Sequence, residues 1–176
     1  MQTINKGTTI IYRNYNKKVD EKTIISLKEH CRKNNQKFYL SNNLKIAAKL
    51  KLDGLYIPAF NKTLNTKNYN THLKFDIIGS AHNEIEINIK EKQGCNFVFL
   101  TPIFKVKKRN NYLNICRFNK ISHNKDIKLI ALGGINKGNI RKINLLNCSG
   151  FAGISWIKKS GLNKFRPLLN CLNCSN

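Results

Sequence analysis

FVFLTPIF at residues 97–104, LIALGGIN at 129–136 and FAGISWI at 151–157 decide the fold of this chain. Each is a short apolar run that ends in small or polar residues and is followed by a polar, helix-like stretch. Runs of this length without apolar/polar alternation predict strands covered on both faces, because a water-facing side would impose alternation. Strands of that kind separated by helices predict a parallel sheet. Ligands of such sheets bind just past the carboxyl ends of the strands. There Gly133-Gly134 and Ile154-Ser155 offer main-chain N–H groups with little side-chain obstruction, the usual chemistry of a phosphate cradle late in a (β/α) barrel.

The same plan extends toward the N-terminus. TTIIYR at 8–13 reads as a strand, followed by a helix capped by Asp20 that places Ile24, Leu27 and Cys31 on one face. Residues 38–40 form a short strand with Ser41, Asn42 and Asn43 at its exit. A helix at 44–52 carries Ile46, Ala47 and Leu50, and Asp53-Gly54 turns the chain into a strand at 55–58. Residues 59–74, rich in Asn, Thr and Lys, read as an irregular loop or a degraded helix. DIIGSA at 76–81 resumes the sheet, and Asn83 with Glu86 forms a capping-box-like start for a helix through Ile85 and Ile89.

After the strand at 97–101 come a basic loop at 105–110, a helix at about 112–121 and the strand at 129–132. Asn136 is expected to cap a helix bearing Ile140, Ile143 and Leu146. A strand at 151–155 and a closing helix at 162–172, interrupted by Pro167, complete the pattern. The predicted fold is therefore a single α/β domain over 1–176, a (β/α) TIM-type barrel with about seven strands. One unit is missing relative to the eight-fold barrel, whose usual length of roughly 200 to 250 residues exceeds the 176 present.

Lys and Arg number 32 against 9 acids, a formal charge of +23. Such an excess ordinarily points to phosphate backbones. Here lysine is spread along the whole chain with abundant Asn and Ile, as a biased genome would produce, and no nucleic-acid module is visible. No specific nucleic-acid partner is expected, although the charge concentrates small anions near the surface. No run approaches the roughly 18 apolar residues that span a bilayer, and residues 1–7 are polar, so the expectation is a cytoplasmic protein without membrane partners. The six cysteines are scattered and read mostly as small core residues. Cys171 and Cys174 have CxxC spacing but no second pair to complete a zinc site.

The order and spacing of several short motifs resemble the thiamine-phosphate synthase family. Asp53-Gly54-Leu55-Tyr56 stands where that family writes DGVH, Ser80-Ala81-His82 matches its S-x-H turn, and Thr101-Pro102-Ile103-Phe104 matches GPIF. Gly133-Gly134-Ile135 matches the GGI phosphate loop, and residues 150–157 match the closing strand. The resemblance implies that the family's first strand and helix are absent ahead of Thr8. It also implies a transferase that joins a hydroxymethylpyrimidine diphosphate to a thiazole phosphate in thiamine biosynthesis and releases diphosphate. In the family, diphosphate leaves a pyrimidine methylene, a stabilised carbocation forms, and the thiazole nitrogen captures it.

The resemblance assigns catalytic roles to Arg13, Ser80 and Lys107, with Lys108 an alternative to Lys107. It assigns substrate binding to Ser41, Asn42, Asn61, Gly133, Gly134, Ile154 and Ser155. The family's Mg²⁺ would fall on Asn42 and Asn61, where neutral amides replace both aspartates. Ile11 and Tyr15 replace the Gln and Lys that flank the family's diphosphate-binding arginine. Ser155 reads equally as a phosphate contact or as a small hydroxyl bonded to backbone, and His82 as a turn residue or a support behind the site rather than a general base. His30, His72 and His123 are given no role.

The related thiazole tautomerases carry a histidine in the GPIF region, where this chain has Pro102. The alternative to a synthase is a catalytically degenerate barrel that binds a phosphorylated thiazole or thiamine metabolite. The unpaired edges of a seven-stranded sheet also predict a homodimer.

Overall fold

The computed structural model describes residues 9–15, 20–64, 76–107 and 110–153. Seven strands form one sheet: β1 (Thr9–Tyr12), β2 (Lys37–Ser41), β3 (Gly54–Ile57), β4 (Asp76–Ala81), β5 (Phe97–Leu100), β6 (Lys128–Leu132) and β7 (Gly150–Ala152). Every neighbouring pair is parallel and the spatial order is the chain order. A parallel sheet in which each strand joins the next must place each crossover on the same face, and with the normal twist it curls into a partial barrel. Among the described residues β1 and β7 each pair on one side only.

Two apolar clusters follow from the pleat. Phe38, Leu40, Leu55, Ile57, Ile77, Val98, Leu100, Leu129 and Ala131 point outward and pack with the helices. Tyr39, Tyr56, Ile78, Phe99 and Ile130 point inward and fill the barrel, flanked by Ile11, Phe97, Leu132 and Ala152. Burial on both sides explains why these strands read as continuous apolar runs.

The helices are α1 (Glu21–Lys33), α2 (Leu44–Lys49), α3 (Glu84–Lys92), α4 (Asn114–Ser122) and a 3₁₀ helix at Ile140–Leu145. Asp20 caps α1 as expected, accepting from the N–H groups of Lys22 and Thr23, and Ile24 and Cys31 are buried beneath it. Asn83 caps α3, and the Glu86 carboxylate returns to the N–H of His82, one residue before the position a standard capping box would use.

Four expectations are corrected. Helix α2 ends at Lys49, with Lys51 at φ 47° turning the chain, so it is shorter than the 44–52 pattern. Ile85 is 73% exposed, and the buried face of α3 is Ile87, Lys90 and, just past its end, Gln93. Helix α4 starts two residues later than predicted: Asn114, at φ 56°, accepts from the Arg117 N–H and so acts as its cap. Asn136 does not cap a helix; its Oδ1 accepts from the Gly138 N–H in a local turn, and the 3₁₀ helix begins after Asn139. Cys31 and Cys95 are core residues, whereas Cys116 is exposed. The closing helix, Cys171 and Cys174 lie outside the described residues, as do residues 65–75 of the Asn-rich segment; its residues 59–64 form no helix or strand.

The amino end of the barrel is tied by a polar group. The Tyr39 ring lies across Gly54, where a Cβ would stand 2.8 Å from it, and the Tyr39 hydroxyl donates to Asp76 at 2.7 Å. Lys37 adds an ion pair to the same carboxylate at 2.9 Å. Burial raises the pKa of Asp76, but the bonds from Tyr39 and Lys37 outweigh it and leave the carboxyl below its ordinary value. A carboxyl lowered in the folded state stabilises the fold above its unfolded pKa and loses that contribution as pH falls through the folded value. Thermal unfolding followed from about pH 5 down to about pH 3 should therefore show a smaller decline for Asp76→Asn than for the parent chain. Equal declines would remove Asp76 as a source of acid sensitivity.

Candidate active site

Function in this architecture belongs to the carboxyl ends of the strands. At the ends of β1 to β4 the structure gathers a connected polar group. Arg13 leaves β1 and sets its guanidinium over the Tyr56 ring, 5.9 Å from the centroid. The Tyr56 hydroxyl donates to Ser80 Oγ at 2.9 Å, inside the barrel. Tyr15 and Ser41 share a hydrogen bond of 2.9 Å, and the Tyr15 ring meets Phe60 edge to face. Burial raises the Tyr15 phenol above its ordinary pKa, against the opposing effect of the bond to Ser41.

Asn42 adopts φ 59°, a conformation asparagine tolerates better than most residues. Its N–H donates to the Tyr56 carbonyl, which turns the side chain out of the sheet. There its Oδ1 accepts from Asn61 Nδ2 at 2.6 Å, while Asn61 Oδ1 accepts from the Thr63 N–H at 2.9 Å. Arg13, Ser41, Asn42, Asn61 and Ser80 are thus brought together, linked through Tyr15 and Tyr56.

The loop that carries Asn61 rests on Lys90, a lysine with no exposed surface. Its ammonium donates to the carbonyls of Pro58 (2.9 Å) and Asn61 (2.7 Å) and to Gln93 Oε1 (2.8 Å). Gln93 Nε2 in turn donates to the carbonyls of Asn61 and Thr63. Three donors meeting three oxygens suit the charged amine, yet burial pushes its pKa down to about 8. Gly79 makes room for the lysine stem, since a Cβ there would lie 2.8 Å from Lys90 Cδ. Sequence reasoning missed Lys90 because apolar periodicity passes over a lysine. It also treated Tyr15 as a mere replacement and Tyr56 as part of a motif match, although a tyrosine at a strand's carboxyl end signals a polar tip in the barrel.

The glycine pair lies on the other side of the mouth. Gly133 and Gly134 have φ of 95° and 74°, and they press against the 101–105 loop. The N–H groups of Ile103 and Phe104 donate to the carbonyls of Leu132 and Gly133. The Gly134 carbonyl accepts from Asn139 Nδ2 at 2.8 Å and from Asn136 Nδ2 at 3.2 Å. The close approach of two loops therefore requires these glycines, independently of any phosphate. His82 Nδ1 is 2.7 Å from the Thr101 carbonyl, in keeping with a turn role. A cavity of about 440 Å³ opens beside this loop, lined in part by His82, Thr101, Tyr112 and Arg117. Lys107 is exposed on its loop, with no hydrogen bond or ion pair among the described residues. Lys108, Ile154 and Ser155 lie outside the described residues.

No group of three or more His, Cys, Asp or Glu side chains suited to a metal occurs among the described residues. The side chains at the mouth of β1 to β4 present cationic, hydroxyl and amide groups, a donor set suited to oxyanions.

A family model described as thiamine monophosphate synthase matches residues 2–157. A thiamine-phosphate synthase of Prochlorococcus marinus is 33% identical over 147 residues, covering 80% of this chain and 42% of the relative. Another, from Methanococcus vannielii, is 27% identical over 124 residues, covering 68% of this chain and 59% of the relative. The chain spans less than half the length of the first of these. Among solved structures, a thiamine phosphate pyrophosphorylase from Pyrococcus furiosus superposes with a TM-score of 0.67 at 16% identity, covering 88% of this chain and 75% of that one. FabK from Thermotoga maritima superposes at 0.60 with 14% identity, covering 79% of this chain and 48% of that one. At such identities these likenesses speak to the barrel fold alone. With the family model matched along nearly the whole chain, this protein belongs to the thiamine monophosphate synthase family.

Proposed function

We propose that this chain is a thiamine-phosphate synthase-type transferase that joins a hydroxymethylpyrimidine diphosphate to a thiazole phosphate. The observation that carries the reading is the convergence of Arg13, Ser41, Asn42, Asn61 and Ser80 at the carboxyl ends of β1 to β4. Departure of diphosphate from a carbon centre asks for positive charge and hydrogen-bond donors on the leaving group and for a rigid pocket holding both partners. Arg13 supplies the charge, and the Tyr56 ring beneath it limits its orientations. Ser80, Tyr56, Tyr15 and Ser41 supply a polar wall beside the reacting atoms.

The family's Mg²⁺ fits poorly here. Neither Asn42 nor Asn61 carries negative charge, magnesium sites rest mainly on carboxylates, and both amide oxygens already accept hydrogen bonds. No step is assigned to the metal. Purified protein supplied with the pyrimidine diphosphate and the thiazole phosphate should form thiamine phosphate, read by chromatography after oxidation to a fluorescent product. No product above background over a range of Mg²⁺ concentrations, with thiazole phosphate still bound in calorimetry, would replace the transferase with a binding protein.

A further inference from the structure

The orientation of the amide pair at the mouth is set by a main-chain group. A backbone N–H can only donate, so the Asn61 atom facing Thr63 is its oxygen and the atom facing Asn42 is its nitrogen. Asn42 therefore turns its own oxygen inward to accept, and its Nδ2 is the end left to face outward. A cation placed on Asn42 Oδ1 would lie against the positive end of the Asn61 amide. The arrangement is fixed from below, where Lys90 and Gln93 hold the Asn61 carbonyl and the Lys90 ammonium adds positive charge under the loop. Arg13 and Asn42 meet at Tyr56, one over its ring and the other bonded to its carbonyl.

We infer that this end of the barrel is a metal-free anion subsite, in which Asn42 Nδ2 and the Arg13 guanidinium bind the oxygens of a diphosphate without a bridging divalent cation. The identification of that anion as the leaving diphosphate rests on the function proposed above. The chemistry follows from the donor set: two N–H-bearing groups, one of them charged, satisfy an oxyanion and repel a metal ion. The exchange of acid for amide thus inverts the polarity of the position, from a cation ligand to an anion donor.

Calorimetric titration of the full chain with inorganic diphosphate, in EDTA and again in Mg²⁺, tests this. Affinity is expected to agree within about threefold between the two conditions, and Mg²⁺ alone should give no binding heat. Asn42→Gly keeps the backbone conformation and should weaken diphosphate binding about tenfold or more, as expected for loss of a hydrogen bond to a charged group. Asn42→Asp should weaken it further in EDTA by placing a like charge at the site. Melting temperatures of both variants close to the parent's would assign these losses to the site.

A tenfold loss of affinity in EDTA, saturable binding of Mg²⁺ alone, absence of any diphosphate binding, or full affinity in Asn42→Gly would each overturn the inference. Product formation that requires Mg²⁺, with EDTA-sensitive diphosphate binding, would sink the metal-free subsite and leave the transferase standing. Metal-independent diphosphate binding with no product would do the reverse.

Discussion

Gly134→Ala should destabilise the protein by about 3 kcal/mol, combining the cost of a left-handed alanine with that of an overpacked contact. Gly134 sits at φ 74°, and a Cβ there would stand 2.5 Å from the Phe104 carbonyl oxygen and 2.8 Å from that of Lys105. Neither atom can yield as the end of a flexible side chain would, because both belong to the loop backbone that bonds back to β6. The melting temperature should fall by roughly 10 °C, as expected for a domain of this size. Gly138→Ala is the control: its one near contact among the described residues would be the Asn136 side-chain oxygen at 3.3 Å, and no backbone atom beyond its chain neighbours stands within 4 Å, so its effect should stay within about 1 kcal/mol. Equal melting temperatures for Gly134→Ala and the parent would mean that the two loops are not packed as described.

Arg13→Ala carries the largest expected effect on activity. If the guanidinium neutralises the departing diphosphate, its loss should lower kcat/KM for the pyrimidine diphosphate by a factor of about 100 to 1,000, the range found when a preorganised donor to a developing anion is removed. Arg13 is exposed, so the melting temperature should hardly move. Arg13→Lys restores the charge but neither the planar fork nor its stacking on Tyr56, so only part of the loss should return. Steady-state kinetics with each substrate varied would check this. A near-parental kcat/KM for Arg13→Ala would remove the residue from the site.

Much of the fold was legible before the structure. The apolar runs at β4, β5 and β6 fall within a residue or two of their predicted bounds, because strands buried on both faces leave an unambiguous composition. Asp20 and Asn83 announced α1 and α3 because a cap is a local event between neighbouring residues. Local pattern failed where packing chose among alternatives. Ile85 and Ile89 suggested one face for α3, but the helix turned Ile87 and Lys90 inward, since the lysine could reach three carbonyl-type oxygens there. Asn136 had the right chemistry for a cap and spent it on a two-residue turn, four positions before the 3₁₀ helix begins at Ile140.

The candidate site shows the same division. Arg13, Ser41, Asn42, Asn61 and Ser80 could be named in advance, since each follows or ends a strand and family resemblance marked it. That Asn61 and Asn42 face each other with their oxygens spent could not. Side-chain direction depends on a main-chain donor two residues away and on a buried lysine from another element.

The order of residues along the chain, by itself, determined that strands and helices alternate and that polar groups collect at the strand exits, because periodicity and capping act over a few neighbours. Only the tertiary structure decided that a glycine pair is needed for two loops to touch, that a lysine lies beneath the mouth, and which way the amides point. Those outcomes depend on distances between segments 19 to 32 residues apart, which are set when the sheet curls and the space inside it is shared out.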